Sequence, residues 1–207
     1  MKKFLSDNKF FLLVVLISIP ITSCIQLTPL KSIVEDTIES SSLTTTRVEA
    51  KVDSVEWYWP QRDQNCPAVL VNLYNSSTKR LDIAIYSLTY PSIVQAIKDA
   101  KSRGVLVRVL SDKTQSAGAT QKQAINNLLG VGIPVKINKH SGLMHLKVSI
   151  IDDKILTTGS FNYSKNAQEN NDEVLVVIKS SEMVLDFSNE FERLWNSTGF
   201  VDAEMSY

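Results

Sequence analysis

The stretch HLKVSIIDDKILTTGSFN, residues 145–162, decides the fold, because it joins two strand-like segments that carry polar side chains at fixed offsets. Side chains two residues apart on a strand point the same way, so His145 and Lys147 are expected on one face. Charge on a buried face is costly unless it is paired or used, which favours a ligand pocket at the sheet edge. Asp152 falls where the first strand should turn, before a residue pair suited to a tight hairpin.

The second of these strands ends in a segment rich in hydrogen-bond donors. Gly159, Ser160 and Asn162 close the stretch, and together they offer backbone N–H groups, a hydroxyl and a carboxamide. These are the donors that an anionic oxygen needs. The stretch therefore predicts an anion site at the sheet edge where the second strand ends.

Outward from this stretch, strand-like and helix-like segments alternate. Residues 81–88 and 104–112 are β-branched apolar runs, and between them Pro91 begins and Gly104 ends a segment with helical apolar spacing. Such a strand–helix–strand unit favours parallel pairing. The remaining predictions are helices over 120–129 and 182–195 and strands over 132–137, 144–152, 154–159 and 172–179. We predict an α/β fold over residues 51–207, one domain whose mixed, largely parallel sheet is flanked by helices on both faces.

The N-terminus has the layout of a secretory signal. Three lysines precede a largely apolar run over residues 10–21, which is followed by small residues and Cys24. A permanent membrane anchor is the weaker alternative, because a spanning helix needs about 20 apolar residues. Residues 21–24 resemble a bacterial lipobox, which implies a signal over 1–23 and an exported lipoprotein of the cell envelope or periplasm, held to the membrane by a lipid on Cys24. An unmodified Cys24 near a conventional cleavage site is the alternative.

Residues 24–50 mix serine, threonine and charge with little periodicity, which is typical of a flexible tether. Without residues 1–23 the chain would carry 19 basic and 21 acidic side chains, so bulk charge gives no argument for nucleic-acid binding. If Cys24 carries the lipid, Cys66 is the one cysteine left to the mature chain, so a disulfide framework within that chain is excluded. It could bridge two subunits or lie buried near the start of a helix.

The pattern H-x-K-x4-D-x6-G-S-x-N, with His145, Lys147, Asp152, Gly159, Ser160 and Asn162 at its fixed positions, resembles the HKD motif of the phospholipase D superfamily. Residues 83–112 and Glu173 are similar to the matching parts of the small bacterial endonucleases of that superfamily, and of the mitochondrial cardiolipin hydrolase relatives. The resemblance covers about residues 53–197. The sequence differs from some animal relatives in having no zinc-finger-like cysteine insertion.

The resemblance implies a phosphodiesterase that needs no cofactor and no metal. Members with one motif imply a homodimer in which two copies of His145 meet, one attacking phosphorus and the other protonating the leaving group. Lys147 and Asn162, supported by Ser160 and Gly159, would hold the phosphate oxygens. Glu173 would accept a hydrogen bond from His145, and Asp152 would make a structural or orienting hydrogen bond.

Several alternatives stay open at this point. The acidic residues Asp152, Asp153, Asp172 and Glu173 keep a two-metal site possible, and a degenerate domain could bind phosphate without turnover. The substrate could be DNA or RNA, or a membrane phospholipid, and a noncatalytic envelope lipoprotein is a third class. Basic residues near predicted strand ends are candidates for steering phosphate: Lys79, Arg80, Lys113, Lys136 and Lys139.

Overall fold

The computed structural model describes residues 49–205. Within this range the chain forms eight strands, which are β1 (Ser54–Tyr58), β2 (Arg80–Ile85), β3 (Leu106–Ser111), β4 (Val135–Asn138), β5 (Lys147–Ile151), β6 (Ile155–Gly159), β7 (Leu175–Lys179) and β8 (Phe200–Asp202). The α-helices of the same range are α1 (Cys66–Asn75), α2 (Pro91–Ser102), α3 (Lys113–Ser116), α4 (Ala119–Leu129), α5 (Lys165–Glu169) and α6 (Ser181–Trp195). The predicted signal segment, Cys24 and nearly all of the tether lie outside the described residues.

The strands form one sheet in the order β1-β7-β6-β5-β2-β3-β4-β8. β2, β3 and β4 are parallel, because helices carry the chain back from one strand to the next. The other neighbouring pairs are antiparallel. The prediction of a mixed sheet is confirmed, but "largely parallel" was wrong. One physical reason is the tight turn between β5 and β6, which returns the chain antiparallel to itself.

Helices cover both faces of the sheet, as predicted. The central strand β2 shows the division, since Leu81, Ile83 and Ile85 join the core beneath α1, α2, α4 and α5. Ala84 points to the opposite face and joins the smaller core beneath α6. Successive side chains of this buried strand therefore point to opposite faces of the sheet and contribute to two apolar layers.

A charged network ties α6 to its side of the sheet. The fully buried carboxylate of Asp82 accepts hydrogen bonds from Arg108 Nε at 2.8 Å and Nη2 at 2.9 Å. The Arg108 guanidinium also binds Glu192 on α6 at 2.6 Å and lies over the Phe191 ring, 5.0 Å from its centroid. Burial alone would lower the pKa of Arg108, but the bonds to Asp82 and Glu192 raise it. The buried charge of Asp82 is thereby paired.

Cys66 begins α1 and is fully buried, which matches one of its two predicted alternatives. Burial raises the pKa of its thiol to about 11, so the reactive thiolate is scarce at neutral pH. No helix within residues 49–205 combines the length and apolar character needed to cross a bilayer.

Candidate active site

Four strand ends meet at one edge of the sheet and carry most of the predicted site. The first residue of β5, Lys147, pairs with Ile85 at the end of β2. Gly159 at the end of β6 pairs with Leu175 at the start of β7. The loop before β5, the segment after β6 and the residues before β7 are therefore brought to the same edge. His145, Lys147, residues 159–162 and Glu173 belong to these segments.

His145 lies in the loop before β5, and its side chain is exposed. The strand predicted from residue 144 begins at Lys147, so the argument from strand alternation was wrong for His145. Its ring packs against the ring of Tyr86, with the centroids 4.6 Å apart and the planes tilted by 58°. An exposed imidazole with one side supported by an aromatic ring remains open to a ligand on the other side.

Lys147 is buried, with 6% of its surface exposed. Its Nζ donates to the carbonyl oxygen of His145 at 2.8 Å and lies 4.9 Å from the centroid of the Tyr86 ring. Burial lowers the pKa of Lys147, while the negative charge of Glu173 acts to raise it. An ammonium has three donors, so this poorly solvated cation keeps capacity for an anionic oxygen.

The segment after β6 is held against the residue before β7. The N–H groups of Ser160 and Phe161 donate to the carbonyl oxygen of Val174, at 3.0 Å and 3.2 Å. The Ser160 hydroxyl oxygen accepts from the Val174 N–H at 3.1 Å. Two of the backbone N–H groups that the segment was expected to offer a ligand are therefore already used by a neighbouring carbonyl. The hydrogen of the Ser160 hydroxyl is still available as a donor.

Gly159 and Asn162 have distinct parts in this segment. Gly159 has φ +128°, and a Cβ added there would lie 2.2 Å from the Val174 carbonyl oxygen, so the close approach requires glycine. The carboxamide oxygen of Asn162 is buried and has no hydrogen-bond partner among the described residues. Buried polar atoms are normally paired, so this oxygen can accept a hydrogen bond from a donor group of a ligand, whereas only the Nδ2 group of Asn162 could donate to an anionic oxygen.

Glu173 does not hold His145 as the sequence predicted. Its Oε1 accepts from Asn171 Nδ2 at 3.1 Å, and its charge acts on Lys147. Among the hydrogen bonds of the described part of the chain, none joins Glu173 to His145. The carboxylate thus supports the cation of the site, and the support for the imidazole comes from Tyr86.

Asp152 lies at the opposite end of β5, about 16 Å from Lys147 by strand rise. Its carboxylate accepts four hydrogen bonds, from the N–H groups of Thr78, Lys79 and Arg80 and from the Thr78 hydroxyl, at 2.7–3.0 Å. Burial acts to raise the pKa of Asp152, but these bonds together lower it. Asp152 is therefore distant from His145 and Lys147, although the motif and the predicted catalytic set included it with them. The predicted structural hydrogen bonds are present, and they join the β5–β6 turn to the start of β2.

We expect Asp152→Ala to lower the free energy of unfolding by about 1–3 kcal/mol, because it removes the acceptor of these bonds. The lowered pKa means that the stabilisation is present above the pKa of an unfolded aspartate and is lost as pH falls through the folded value. Urea unfolding at pH 7 and at acid pH should show the difference from wild type narrowing with acid. Asp153→Asn is the control, since Asp153 is 60% exposed and pairs with Arg80 at the surface. An Asp152→Ala protein as stable as wild type at pH 7 would contradict this role.

In the described part of the chain, the four acidic residues of the two-metal alternative do not lie together. Asp152 and Asp153 lie in the β5–β6 turn, while Asp172 and Glu173 precede β7 at the other edge. Residues 49–205 contain no group of three or more His, Cys, Asp or Glu side chains placed to hold a metal ion. His140 follows β4, is exposed and packs edge-on against Phe200.

The predicted steering residues divide between the two edges. Lys79 and Arg80 lie beside Asp152, far from His145, so their assignment was wrong. Lys136 is turned toward α6, where its Nζ donates to the Trp195 carbonyl oxygen at 2.8 Å. Lys113 and Lys139 follow β3 and β4 at the edge that carries His145.

Tyr86 and Gln115 are site residues that the sequence analysis missed. Tyr86 directly follows β2, and its hydroxyl oxygen accepts from Gln115 Nε2 at 3.0 Å. The available signal was its position at the end of a strand predicted to reach the site edge. Its contacts with His145 and Lys147 depend on the β2–β5 pairing, which the sequence pattern did not specify.

Comparison of the sequence and structure with known proteins identifies the family of this chain. Residues 70–195 match the family model described as cardiolipin synthase, PLD-like domain, which is more than half of the 207-residue chain. The chain belongs to the phospholipase D superfamily. Mitochondrial cardiolipin hydrolase of Chlamydomonas reinhardtii is 33% identical over 121 residues, which is 58% of this chain. The match spans 53% of that protein, so the chain covers about half the length of this curated relative.

Two solved structures are similar to this chain over nearly their whole length. Nuc from Salmonella typhimurium, a phospholipase D family member, has a TM-score of 0.68 at 28% identity, covering 73% of this chain and 98% of that one. NucT from Helicobacter pylori has a TM-score of 0.62 at 30% identity, covering 72% of this chain and 99% of that one. The predicted superfamily and mixed α/β fold are confirmed. The predicted enzyme class, a phosphodiester hydrolase, agrees with the name of the cardiolipin hydrolase.

Proposed function

We propose that the protein is a metal-independent phosphodiesterase, an endonuclease that cleaves DNA or RNA through a phosphohistidine intermediate. The observation that carries this proposal is an exposed His145 imidazole beside the buried ammonium of Lys147 at one sheet edge. An imidazole is a nucleophile and a proton carrier near neutral pH. A poorly solvated cation stabilises the charge that develops on phosphate oxygens.

The reaction needs two histidines, and the motif occurs once in this chain. We therefore propose a twofold homodimer in which two copies of His145 face one phosphate. One imidazole attacks phosphorus, and the bond from phosphorus to the leaving oxygen breaks as the second imidazole donates its proton to that oxygen. The second imidazole then takes a proton from water, whose oxygen displaces the first imidazole and releases the phosphate monoester. The first step leaves one imidazole phosphorylated and the other without its proton, and the second step restores both.

Lys147 and Asn162 would bind the non-bridging oxygens, with the Ser160 hydroxyl as a further donor. Lys147 has free donors. Asn162 would donate through its Nδ2 group, because its unpaired carboxamide oxygen is an acceptor and cannot bind a phosphate oxygen. Glu173 would keep Lys147 protonated by opposing the effect of burial on its pKa. This assignment gives a role to a carboxylate whose charge acts on Lys147.

Nucleic acid is our first choice of substrate because the sequence resembles the small bacterial endonucleases of the superfamily. The structural match to Nuc and NucT over almost their entire length supports a similar compact domain. Lys113 and Lys139 lie at the site edge, where cations would meet the phosphates flanking the cleaved bond.

A phospholipid substrate is the second candidate, and an apolar rim favours it. Leu143 and Leu146 stand on either side of His145, with 51% and 40% of their surfaces exposed. Exposed leucines beside a reactive residue suit contact with acyl chains, and the Chlamydomonas reinhardtii relative is named a cardiolipin hydrolase. Export as a lipoprotein anchored at Cys24 would hold such a site beside a membrane, and this localisation is part of the proposal. A noncatalytic envelope lipoprotein is the remaining class.

The experiment is hydrolysis by the full chain, purified in detergent, in excess EDTA. Plasmid DNA, single-stranded DNA, RNA, phosphatidylcholine and cardiolipin are each presented to wild type and to His145→Asn. We expect nucleic-acid cleavage that persists in EDTA and disappears in the variant. Hydrolysis of lipid alone would select the second candidate. A folded wild-type protein that hydrolyses none of these would contradict the proposal and favour the noncatalytic class.

A further inference from the structure

Tyr86 is the one aromatic side chain among the described residues that contacts both His145 and Lys147. Its ring centroid lies 4.6 Å from that of His145 and 4.9 Å from the Lys147 ammonium. We propose that Tyr86 is a positioning residue, whose ring sets the orientation of the His145 imidazole and the place of the Lys147 ammonium. This inference rests on the proposed function, in which these two residues perform the chemistry.

Tyr86 is itself fixed by contacts from three other segments. Its N–H donates to the Leu146 carbonyl oxygen at 2.9 Å, which ties it to the loop that carries His145. Its carbonyl oxygen accepts from Gln121 Nε2 at 3.0 Å, and its hydroxyl oxygen accepts from Gln115 Nε2 at 3.0 Å. A ring held at its backbone and at its tip cannot turn freely, so it can fix a neighbour that is otherwise exposed.

The imidazole needs such support because no hydrogen bond joins it to Glu173 in the described part of the chain. Glu173 accepts from Asn171, and His145 stands exposed in a loop. A nucleophile with several accessible rotamers spends most of its time misaligned, and a misplacement of about 1 Å can cost about 100-fold in rate. Packing against the Tyr86 ring removes part of this freedom before the substrate binds.

The ring also acts on the charge of Lys147. An ammonium above the face of an aromatic ring is attracted by the ring quadrupole. This attraction favours the protonated lysine and opposes the lowering of its pKa by burial. Removal of the ring should therefore lower the pKa of Lys147 further, and the alkaline fall in activity should begin at a lower pH.

The test compares Tyr86→Phe, which keeps the ring, with Tyr86→Leu, which removes it. Tyr90→Leu is the matched control, because Tyr90 is a half-buried tyrosine that packs on the core beneath α2. The readout is hydrolysis of bis(p-nitrophenyl) phosphate by the full chain in EDTA, with kcat, KM and the pH profile measured for each protein. Circular dichroism and thermal melting confirm that each protein is folded.

We expect Tyr86→Phe and Tyr90→Leu to keep kcat within about threefold of wild type. Tyr86→Leu should lower kcat by about 10- to 100-fold with little change in KM, since the ring orients groups and does not bind substrate. In Tyr86→Leu, the pH at which activity falls on the alkaline side should be lower than in wild type by about half a pH unit or more. A general structural defect in Tyr86→Leu could lower kcat, but it would not shift the alkaline fall in activity to lower pH. Normal activity of Tyr86→Phe would show that the ring, and not the hydroxyl, is needed.

Tyr86→Leu with wild-type kcat, or with reduced kcat and an unmoved alkaline limb, would overturn the inference. Failure of the proposed function looks different, because His145→Asn would then retain the wild-type rate or wild type would be inactive. If Tyr86→Leu does not fold, Tyr86→Met is measured in its place, because methionine keeps an apolar side chain at this position but has no ring. Tyr86→Met should lower kcat by about 10-fold or more and shift the alkaline fall in activity to lower pH, and an unchanged kcat would also overturn the inference.

Discussion

Replacing His145 with asparagine is expected to lower phosphodiesterase activity by at least about 1,000-fold, because it removes the nucleophile and the proton carrier together. The variant should remain folded, since His145 is exposed and its loop is held by backbone contacts of Leu146. His140→Asn is the matched control. His140 is the other histidine of the chain, it is also exposed, and it lies outside the motif in the loop after β4. Its activity should stay within about twofold of wild type.

Mixing the His145→Asn and wild-type chains tests whether one site is shared by two subunits. After full exchange of equal amounts, random pairing gives about one quarter wild-type, one half mixed and one quarter variant dimers. A shared site needs both histidines, so the mixture should retain about one quarter of the wild-type activity at the same total protein. Two independent sites would retain about one half. A value near one half would contradict the shared site and leave the role of His145 intact.

Replacing Lys147 with methionine should lower kcat by about 100- to 1,000-fold, because the buried cation that stabilises phosphate charge is lost. Stability should not fall, since a desolvated charge is exchanged for an apolar side chain of similar length. Lys147→Arg should restore little, because the wider guanidinium does not fit a place where 6% of the side chain is exposed. Lys154→Met in the β5–β6 turn is the control for loss of one surface charge.

The pH dependence separates this role from simple packing. Burial lowers the pKa of Lys147, so the wild-type ammonium is lost at a lower pH than that of a free lysine. Activity should therefore fall as pH rises through this lowered value. The residual activity of Lys147→Met should lack this alkaline limb. If wild type and Lys147→Met lost activity over the same alkaline pH range, a group other than Lys147 would be responsible for that loss.

Local patterns predicted the central part of the fold well. Pro91, the helical spacing after it and Gly104 located α2 between β2 and β3, and the predicted helix over 182–195 became α6. The strands β1 and β8 were missed. Both are short edge strands with exposed residues, such as Trp57 at 58%, so they lack the apolar alternation that marks a buried strand.

The site was predicted where its residues lie close in sequence, and less well where distant contacts decide their roles. The motif located His145, Lys147 and residues 159–162 at one edge. The partners of Asp152 lie more than seventy residues earlier, at the start of β2. Tyr86 reaches the site through the antiparallel β2–β5 pairing, whereas the sequence favoured parallel neighbours. These roles follow from the order of strands, which local periodicity does not encode.

The stereochemistry at phosphorus tests the covalent mechanism most directly. A phosphodiester made chiral with sulfur at the scissile phosphate is hydrolysed in isotopically labelled water with excess EDTA, and the configuration of the product is determined. Each in-line displacement inverts phosphorus, so attack by His145 followed by attack of water gives overall retention. We predict retention. Inversion would show that water attacks the substrate in a single step, and it would contradict a phosphohistidine intermediate on His145.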